Sequence, residues 1–495
     1  MSEEIFYSGI IFSKDGKKIP VKDGISFHSK YSPEREAENF AAQFEENGFF
    51  IVLGLCGGYH IKKLHEKFPS SKIIAAENSS ADIDFLSQIE TVKNLKSEKN
   101  IFITDKKNLE KTIVENYLPA VDGNLFVKPL RSYENAFQKT AKEEIEIINR
   151  AIKTVSADYS VQKHFGKIWQ KNILKNLSCA SKCENFQDFV SDFPVSKTAA
   201  IIAAGPSLNE TVEELKNSRE KYFIISTDTA YGALSKNGID ADVVVSVDGQ
   251  MVSHSHFMFS PAKKTKFVFD LCSNSDAVQK IIKNGNKVLL SESSHPLAIY
   301  ASRYSGKKHF AHLETGSGTV TIAAANFAVL SGFKNLRLFG ADFSYINGLP
   351  YAKGTYLDAN FRQNENRIKN AESKFVNLLY RTEIKAISEN QFTTEILESY
   401  KKTMEDFFAS HGIEKKWEDE YYSKNLQNGA KKNFERFDFQ DFKKNYIAEL
   451  KKIKNSENEI NINAPIFATL LPLCAALDGN RFLAYSKALS YTESL

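Results

Sequence analysis

The sequence predicts an α/β protein with a Rossmann-like N-terminal domain, a central Rossmann-like domain and a helical C-terminal domain. Two observations support the first two parts: short apolar runs alternate with amphipathic helical segments, and glycine or polar residues directly follow several of these runs. This alternation is typical of a parallel sheet covered by helices. The third observation is that the chain becomes polar and helix-periodic beyond about Arg362.

The domain boundaries follow from these changes of pattern. A β-rich lead-in opens an N-terminal domain over residues 1–135, and a helical connector spans 136–192. The central α/β domain covers residues 193–360, and the helical C-terminal domain covers 361–495. A chain of 495 residues is long enough for two or three domains.

The composition is that of a soluble globular protein, with 42% hydrophobic and 25% charged residues. A net charge of +4 is small for this length, so we expect no nucleic-acid or membrane-surface partner. No apolar run reaches the roughly 18 residues of a membrane span, and the acidic start MSEEIFYSG is unlike a signal peptide. Five cysteines without framework spacing fit a cytoplasmic location. Cys179 and Cys183 lack further ligands nearby, so no metal site is expected there.

The N-terminal domain carries an imperfect glycine motif. In FFIVLGLCGGYHIKKLHEKF the glycines are Gly54, Gly57 and Gly58. Glu77 follows about twenty residues later, where dinucleotide-binding folds place the acidic residue that accepts a hydrogen bond from the ribose. Because the spacing is G-x-x-G-G and not G-x-G-x-x-G, we favour a structural scaffold over a cofactor site.

The central domain begins with a strand, Ala199–Ala204, that stops at Gly205, Pro206 and Ser207. Ser207 and Glu210 match the capping box S-x-x-E at the start of the next helix. A strand, a glycine turn and a helix N-terminus together offer free N–H groups to an anion.

The next two predicted strands also end on polar residues. Tyr222–Ser226 is followed by Thr227 and Asp228, and Val243–Ser246 is followed by Asp248. Such strand ends meet at one edge of a parallel sheet, which predicts a nucleotide-binding crevice. The alternative is that the turn is only a turn and the aspartates are caps.

A second small-residue loop precedes the predicted helix Val320–Ser331, and the strand Asn335–Phe339 then ends near Asp342. Tyr351 lies in the long loop that follows, which we expect to border the crevice. Small residues ahead of a helix allow an anion to approach the backbone. The loop consists of Thr315, Gly316, Ser317, Gly318 and Thr319.

Two histidines compete as general base. His254 follows Asp248 closely, and His295 lies just beyond the predicted strand Lys287–Leu290. An unperturbed histidine pKa near 6.5 suits this role. The alternative is that each is an ordinary loop histidine.

These residues carry a family resemblance. The runs AAGPSLNET, STDTA and DADVVVSVDG resemble the central domain of the motility accessory factor (Maf) family of bacterial glycosyltransferases. That domain is related to archaeal 6-hydroxymethylpterin diphosphokinases (MptE-like) and is similar in fold to bacterial sialyltransferases. ETGSGTVTIAAANFAVLSGFKNLRLFGADFSY matches the family in outline, and the resemblance covers roughly residues 40–390.

The resemblance implies transfer of a nonulosonic, sialic-acid-like sugar from a CMP-activated donor to Ser or Thr of flagellin, a step needed for flagellar assembly and motility. It implies catalytic roles for Asp342, His295 and Asp248, and donor binding by Tyr351 and the loop Thr315–Thr319. The implied nucleotide-binding residues are Gly205, Pro206, Ser207, Leu208, Thr227, Asp228 and Asp248.

Two other functions stay open at this point. In a diphosphokinase, Asp228, Asp248 and Asp342 would hold Mg²⁺ against ATP. A non-catalytic protein that binds flagellin is the third hypothesis. The large flanking domains disfavour the kinase, and the polar strand ends disfavour the non-catalytic protein. Three points stay open: whether the nucleotide of the donor carries cytosine or adenine, whether Mg²⁺ is needed, and the oligomeric state.

Overall fold

The structure is a computed structural model that describes residues 5–257, 261–315, 318–363, 365, 370–416, 419–423, 434–456 and 459–495. The chain divides into two compact units. The first comprises residues 1–166 and 471–484, and the second comprises 167–470 and 485–495.

The first unit contains two sheets. Its strands are β1 (Gly9–Phe12), β2 (Lys18–Lys22), β3 (Ile25–Ser26), β4 (Phe49–Leu53), β5 (Ile73–Glu77), β6 (Ile101–Asp105) and β7 (Leu125–Pro129). Its helices are α1 (Pro33–Ala42), α2 (Tyr59–Lys67), α3 (Ser80–Leu86), α4 (Glu90–Leu95), α5 (Leu109–Asn116), α6 (Pro119–Asp122), α7 (Arg131–Ala136) and the first part of α8 (Gln138–Ser178).

Strands β1 to β3 form the predicted β-rich lead-in as an antiparallel sheet. The other four strands are parallel in the order β6-β5-β4-β7, which is the order of half a Rossmann fold. Every residue of β4 and β5 is buried, as expected for strands covered by helices on both faces.

The glycine turn after β4 is filled by side chains of the same unit. Gly54 has φ +91°, and a Cβ there would lie 2.6 Å from the ring of Tyr133. A Cβ on Gly57 would lie 2.8 Å from the imidazole of His28. These rings occupy the space that a dinucleotide would need above the turn, which favours the scaffold interpretation.

Two of the buried carboxyl groups in this unit have strongly raised pKa values. Glu77 accepts hydrogen bonds from the Tyr7 hydroxyl (2.9 Å) and the Cys56 amide (3.2 Å), and burial raises its pKa to about 7. Glu144 accepts from the Tyr133 hydroxyl (3.0 Å), and burial raises its pKa to about 8. Its other oxygen, Oε2, has no partner among the described residues. Glu77 is therefore a core group and not an exposed ribose acceptor.

The second unit is built on a nine-stranded sheet and a small three-stranded one. Its strands are β8 (Thr198–Ile202), β9 (Tyr222–Thr227), β10 (Val243–Ser246), β11 (Lys266–Asp270), β12 (Val288–Glu292), β13 (Ala311–His312), β14 (Asn335–Phe339), β15 (Tyr345–Ile346), β16 (Lys385–Ser388), β17 (Gln391–Thr393), β18 (Ile413–Lys415) and β19 (Glu420–Ser423).

The remaining helices complete both units. They are α9 (Phe186–Val190), α10 (Leu208–Asn217), α11 (Asp228–Lys236), α12 (Ser275–Lys283), α13 (Pro296–Ser302), α14 (Val320–Leu330), α15 (Tyr356–Gln363), α16 (Ala371–Leu379), α17 (Glu395–Ser410), α18 (Phe439–Lys452), α19 (Leu471–Ala475) and α20 (Arg481–Glu493). Short 3₁₀ segments are Ala180–Lys182, Arg219–Lys221, Met251–Phe257, Tyr304–Gly306 and Pro465–Leu470.

The large sheet has the strand order β13-β12-β11-β10-β9-β8-β14-β19-β18. All neighbours from β13 to β14 are parallel, and β19 and β18 are antiparallel. Strands β9 to β13 extend the sheet on one side of β8, and the chain then returns to place β14 on the other side. Helix α14 makes this return and is buried on nearly all sides, which explains its almost wholly apolar sequence. The switch point between β8 and β14 is where open α/β sheets bind ligands.

The predicted α/β fold class is confirmed, and the five strands predicted in the central region are present as β8, β9, β10, β12 and β14. The sequence did not predict strands β16 to β19 beyond Arg362, because each is only three or four residues long. None of the described helices is both long enough and apolar enough to cross a membrane. The described cysteines are all free thiols.

Candidate functional site

A cavity of about 230 Å³ lies at the switch point between β8 and β14. Its walls come from Ala203–Gly205 after β8, from the first residues of α11 and α14, and from Gly340–Tyr345 after β14. Tyr351 and Tyr400 also contribute to the lining. Both parallel strands end at this point, so the fold itself brings distant segments of sequence together here.

Asp342 is the carboxylate of this cavity. The Ser207 amide donates to its Oδ2 (2.9 Å), and the Ser207 hydroxyl donates to its Oδ1. Burial raises the pKa of Asp342, the two Ser207 hydrogen bonds lower it, and the nearby charges of Asp419 and Glu210 raise it. A partly buried carboxylate with a raised pKa suits a general base.

The predicted capping box at the start of α10 is wrong. Ser207 has helical φ and ψ (−60°, −19°), and its hydroxyl bonds Asp342 instead of capping the helix. The Ser207 amide is also taken by Asp342, and the next three amides donate to carbonyls within the same turn. The predicted anion site at Gly205–Leu208 is therefore filled by the chain's own carboxylate. Gly205 lines the cavity, whereas Pro206 and Leu208 are buried beneath it.

Unpaired donors occur instead in the turn after β14. Ala341, Asp342, Phe343 and Ser344 line the cavity, and their amides donate to no acceptor among the described residues. Phe343 has φ +47°, in the left-handed region that a side chain rarely adopts. Successive backbone N–H groups in such turns bind anions, and the N-termini of α11 and α14 add favourable dipoles.

The aspartate after β9 does not reach the cavity lining. Asp228 is buried, and its oxygens accept from the Thr229 amide (2.7 Å) and the Ser246 hydroxyl (2.6 Å). It therefore ties β9 to β10. Thr227 caps α11 through the Ala230 amide (3.3 Å) and does line the cavity.

Asp248 lies further along the same sheet edge, outside the cavity lining. It is half-buried, and its Oδ1 accepts from the Gln250 amide (3.0 Å). Tyr356 lies near Asp248. Burial raises the pKa of this tyrosine most, and the charges of Asp248 and Asp228 raise it further. Of the three aspartates expected in one cavity, only Asp342 lines it.

The second small-residue loop reaches the cavity through its last residue. Gly316 and Ser317 lie outside the described residues, and the carbonyl of Thr315 accepts from Gly318 (2.9 Å) and Thr319 (3.0 Å). Thr319 caps α14 and lines the cavity. Tyr351 lines it too, and burial raises its pKa.

Several lining residues were missed by sequence reasoning. Tyr400 and Leu397 lie on α17, far along the chain and outside any motif. Thr229, Thr321 and Ser344 each follow a predicted site residue by only two positions. The neighbouring residues could thus have been found from the strand ends, but the α17 residues could not.

His295 lies outside the cavity lining and caps a helix. It is the N-cap of α13, where its Nδ1 accepts from the Leu297 amide (3.2 Å), and its ring packs edge-on against Trp169. Burial lowers its pKa to about 3, which makes it a weak base. Neither His295 nor His254 lines the cavity. Asp342 replaces them as the candidate base.

We expect His295→Asn to flatten the acid dependence of stability. A buried neutral histidine stabilises the fold fully above its ordinary pKa of 6.5 and loses this contribution as pH falls toward 3. Between pH 7 and 4.5 the loss is on the order of 2–3 kcal/mol, and Asn retains an N-cap acceptor. Thermal unfolding of the wild type and His295→Asn at pH 7 and pH 4.5 measures this loss of stability, with His254→Asn as control. An unchanged acid dependence in His295→Asn would contradict the assignment.

Three kinds of relative share features with this chain. Residues 171–348 match the family model of the 6-hydroxymethylpterin diphosphokinase MptE-like proteins. Two uncharacterized proteins of Treponema pallidum (strain Nichols) are 39% identical over 153 residues and 34% identical over 150 residues. Each match covers 30% of this chain, and they cover 54% and 70% of the two relatives.

A solved structure shares the fold over the whole chain. The Maf glycosyltransferase from Magnetospirillum magneticum AMB-1 superimposes with a TM-score of 0.53 at 14% identity, covering 100% of this chain and 91% of that one. The resemblance stated from the sequence is thereby confirmed at the level of fold. The chain belongs to the family of the second treponemal protein, with an MptE-like central region and the fold of a Maf glycosyltransferase.

Proposed function

We propose that this protein is a glycosyltransferase that moves a nonulosonic, sialic-acid-like sugar from a CMP-activated donor to Ser or Thr of flagellin, in support of flagellar assembly and motility. One observation carries the proposal: the Asp342 carboxylate belongs to a switch-point cavity lined by residues 341–344, whose four amides donate to no acceptor within the described part of the chain. Transfer from a nucleoside monophosphate donor needs this pair, a base for the acceptor and a cradle for the departing phosphate.

In the proposed reaction Asp342 removes the proton of the acceptor hydroxyl. The hydroxyl oxygen then bonds to the anomeric carbon of the sugar, and the bond from that carbon to the phosphate oxygen breaks. CMP leaves with the bonding electrons. The amides of residues 341–344 and the N-termini of α11 and α14 stabilise the resulting phosphate charge.

The residues around the cavity favour this reaction over a diphosphokinase. The described lining has no lysine or arginine, so its anion binding would depend on backbone dipoles, which suit a monophosphate better than a triphosphate. Asp228 lies outside the cavity lining, and its oxygens accept from Thr229 and Ser246, so it does not join Asp342 in a three-carboxylate Mg²⁺ site. A Mg²⁺ requirement is therefore not part of the proposal.

The proposals for the acceptor and for the roles of the two parts of the chain rest on the similarity of fold to the Maf glycosyltransferase. The Magnetospirillum relative is a Maf glycosyltransferase, and flagellin as acceptor follows from the Maf resemblance. We propose residues 193–360 as the part that binds the nucleotide-sugar. We propose an accessory role for residues 361–495, of which 361–470 and 485–495 belong to the same compact unit as that part. Leu397 and Tyr400 of this stretch line the cavity.

A thermal-shift screen of CMP, CTP, ATP and GTP, each with and without Mg²⁺, tests the proposed function. We expect CMP and CTP to raise Tm with little dependence on Mg²⁺, since backbone dipoles replace the metal. Ligand at 100 times its Kd stabilises a fold by about 2.7 kcal/mol. ATP stabilisation that requires Mg²⁺ would favour the diphosphokinase. No shift with any nucleotide would favour the non-catalytic protein.

A further inference from the structure

We infer that Ser207 is a positioning residue, which orients the carboxylate of Asp342 toward the cavity instead of binding the nucleotide. The inference rests on the proposed function for its chemistry, but its structural part can be tested alone. The Gly-Pro-Ser turn, which the sequence pattern predicts as a phosphate-binding loop, then serves to position a catalytic carboxylate.

Ser207 holds the carboxylate at both oxygens. Its amide donates to Oδ2 at 2.9 Å, and its hydroxyl donates to Oδ1. Two donors from one residue fix the rotation of the carboxyl group, because turning it would break both bonds. Ser207 itself is held in place at the start of α10, where its carbonyl accepts from the Thr211 hydroxyl (3.2 Å) and amide (3.3 Å).

The glycines beside this contact provide room for the carboxylate. A Cβ on Gly205 would lie 2.4 Å from Oδ2 of Asp342 and 2.5 Å from the Gly340 carbonyl. Gly340 has φ +64°, and a Cβ there would lie 2.4 Å from the Ala203 carbonyl. The Gly205 amide donates to the Gly340 carbonyl at 2.8 Å, which joins the two turns. Glycine at 205 therefore accommodates Asp342, and serine at 207 holds it.

The contact also affects the charge of the base. Burial and the nearby carboxylates of Asp419 and Glu210 favour the protonated form of Asp342, and the hydrogen bonds from Ser207 favour the ionised form. A general base must be ionised before it can accept a proton. Removal of the Ser207 hydroxyl should therefore raise the Asp342 pKa and move the ionisation of the base to higher pH.

A double-mutant cycle tests the structural part without any substrate. Tm is measured at pH 7.5 and pH 4.5 for the wild type, Ser207→Ala, Asp342→Asn and the double variant, with Glu213→Gln, at an exposed position of α10, as control. We expect non-additive Tm changes for Ser207 and Asp342 at pH 7.5 and weaker coupling at pH 4.5, because the protonated fraction of Asp342 increases as pH falls. The Tm change of Glu213→Gln should add to that of Asp342→Asn. Additive changes for Ser207 and Asp342 would overturn the inference, whatever the reaction.

The pH profile of CMP release from a CMP-activated nonulosonic acid tests the catalytic part. We expect Ser207→Ala to lower kcat about 10- to 100-fold, which corresponds to the loss of one charge-assisted hydrogen bond. KM should change little. The acid limb of its profile should move to higher pH, and Ser207→Thr should restore both properties. An unmoved acid limb would overturn the inference. Absence of turnover by the wild type would overturn the proposed function and leave the outcome of the Tm cycle standing.

Discussion

Asp342→Asn is expected to lower the rate of CMP release about 10²–10⁴-fold, the usual contribution of a general base. Asparagine has nearly the same shape but cannot accept the acceptor's proton. Because the amides of residues 341–344 stay in place, the Tm increase caused by CMP should persist. Steady-state rates and thermal shifts on the same preparation measure the two effects separately.

Glu210→Gln is the matched control for Asp342→Asn. Glu210 raises the pKa of Asp342 through its charge, yet it is exposed and lies outside the cavity lining. We expect Glu210→Gln to keep the rate within a few-fold of wild type. Full activity in Asp342→Asn would exclude Asp342 as the base and leave Asp248 as the remaining predicted candidate.

Glu144→Gln should remove much of the alkaline sensitivity of the first unit. The folded-state pKa of Glu144 is about 8, against an ordinary value of 4.5. A raised carboxyl pKa contributes stability that is complete below pH 4.5 and is lost as pH rises toward 8. The full loss is on the order of 5 kcal/mol. Glutamine resembles the protonated acid, so the variant should gain stability relative to wild type between pH 5 and pH 8.5 in urea unfolding.

The neighbouring residue provides a control for that experiment. Glu143 forms a partly exposed ion pair with Lys106 (2.5 Å), and such pairs contribute only about 0–1 kcal/mol. Glu143→Gln should therefore leave the alkaline decline of stability almost unchanged. An equal decline in wild type and Glu144→Gln would show that Glu144 ionises in the folded protein as readily as in the unfolded chain.

Sequence patterns predicted the sheet well, because buried parallel strands are short apolar runs with clear ends. The strand that begins at Tyr222 has six residues, and the strand that begins at Val243 has four. Each stops at a polar residue. A cavity lies at the carboxyl edge of the sheet, where these strands end. What the pattern could not determine was the direction in which each polar side chain points.

Three residues illustrate that limit. A serine before a helix usually caps it, but Ser207 instead meets Asp342, which lies 135 residues later in the chain. Asp228 has the same local setting as a ligand-binding aspartate, yet Ser246 on the next strand takes its carboxylate. His295 follows a strand end as a base would, and the burial that lowers its pKa depends on Trp169 from α8. Each outcome depends on a distant partner that no local motif encodes.

The hairpin of β18 and β19 protects the large sheet from pairing with other chains. Without it, β14 would be an edge strand, and the segment leading to Asp342 would expose open N–H and C=O groups. The hairpin moves that edge to the three-residue strand β18, which ends in exposed Glu414 and Lys415. The opposite edge, β13, has only two residues. Short, charged edges resist the strand-to-strand association that leads to aggregation.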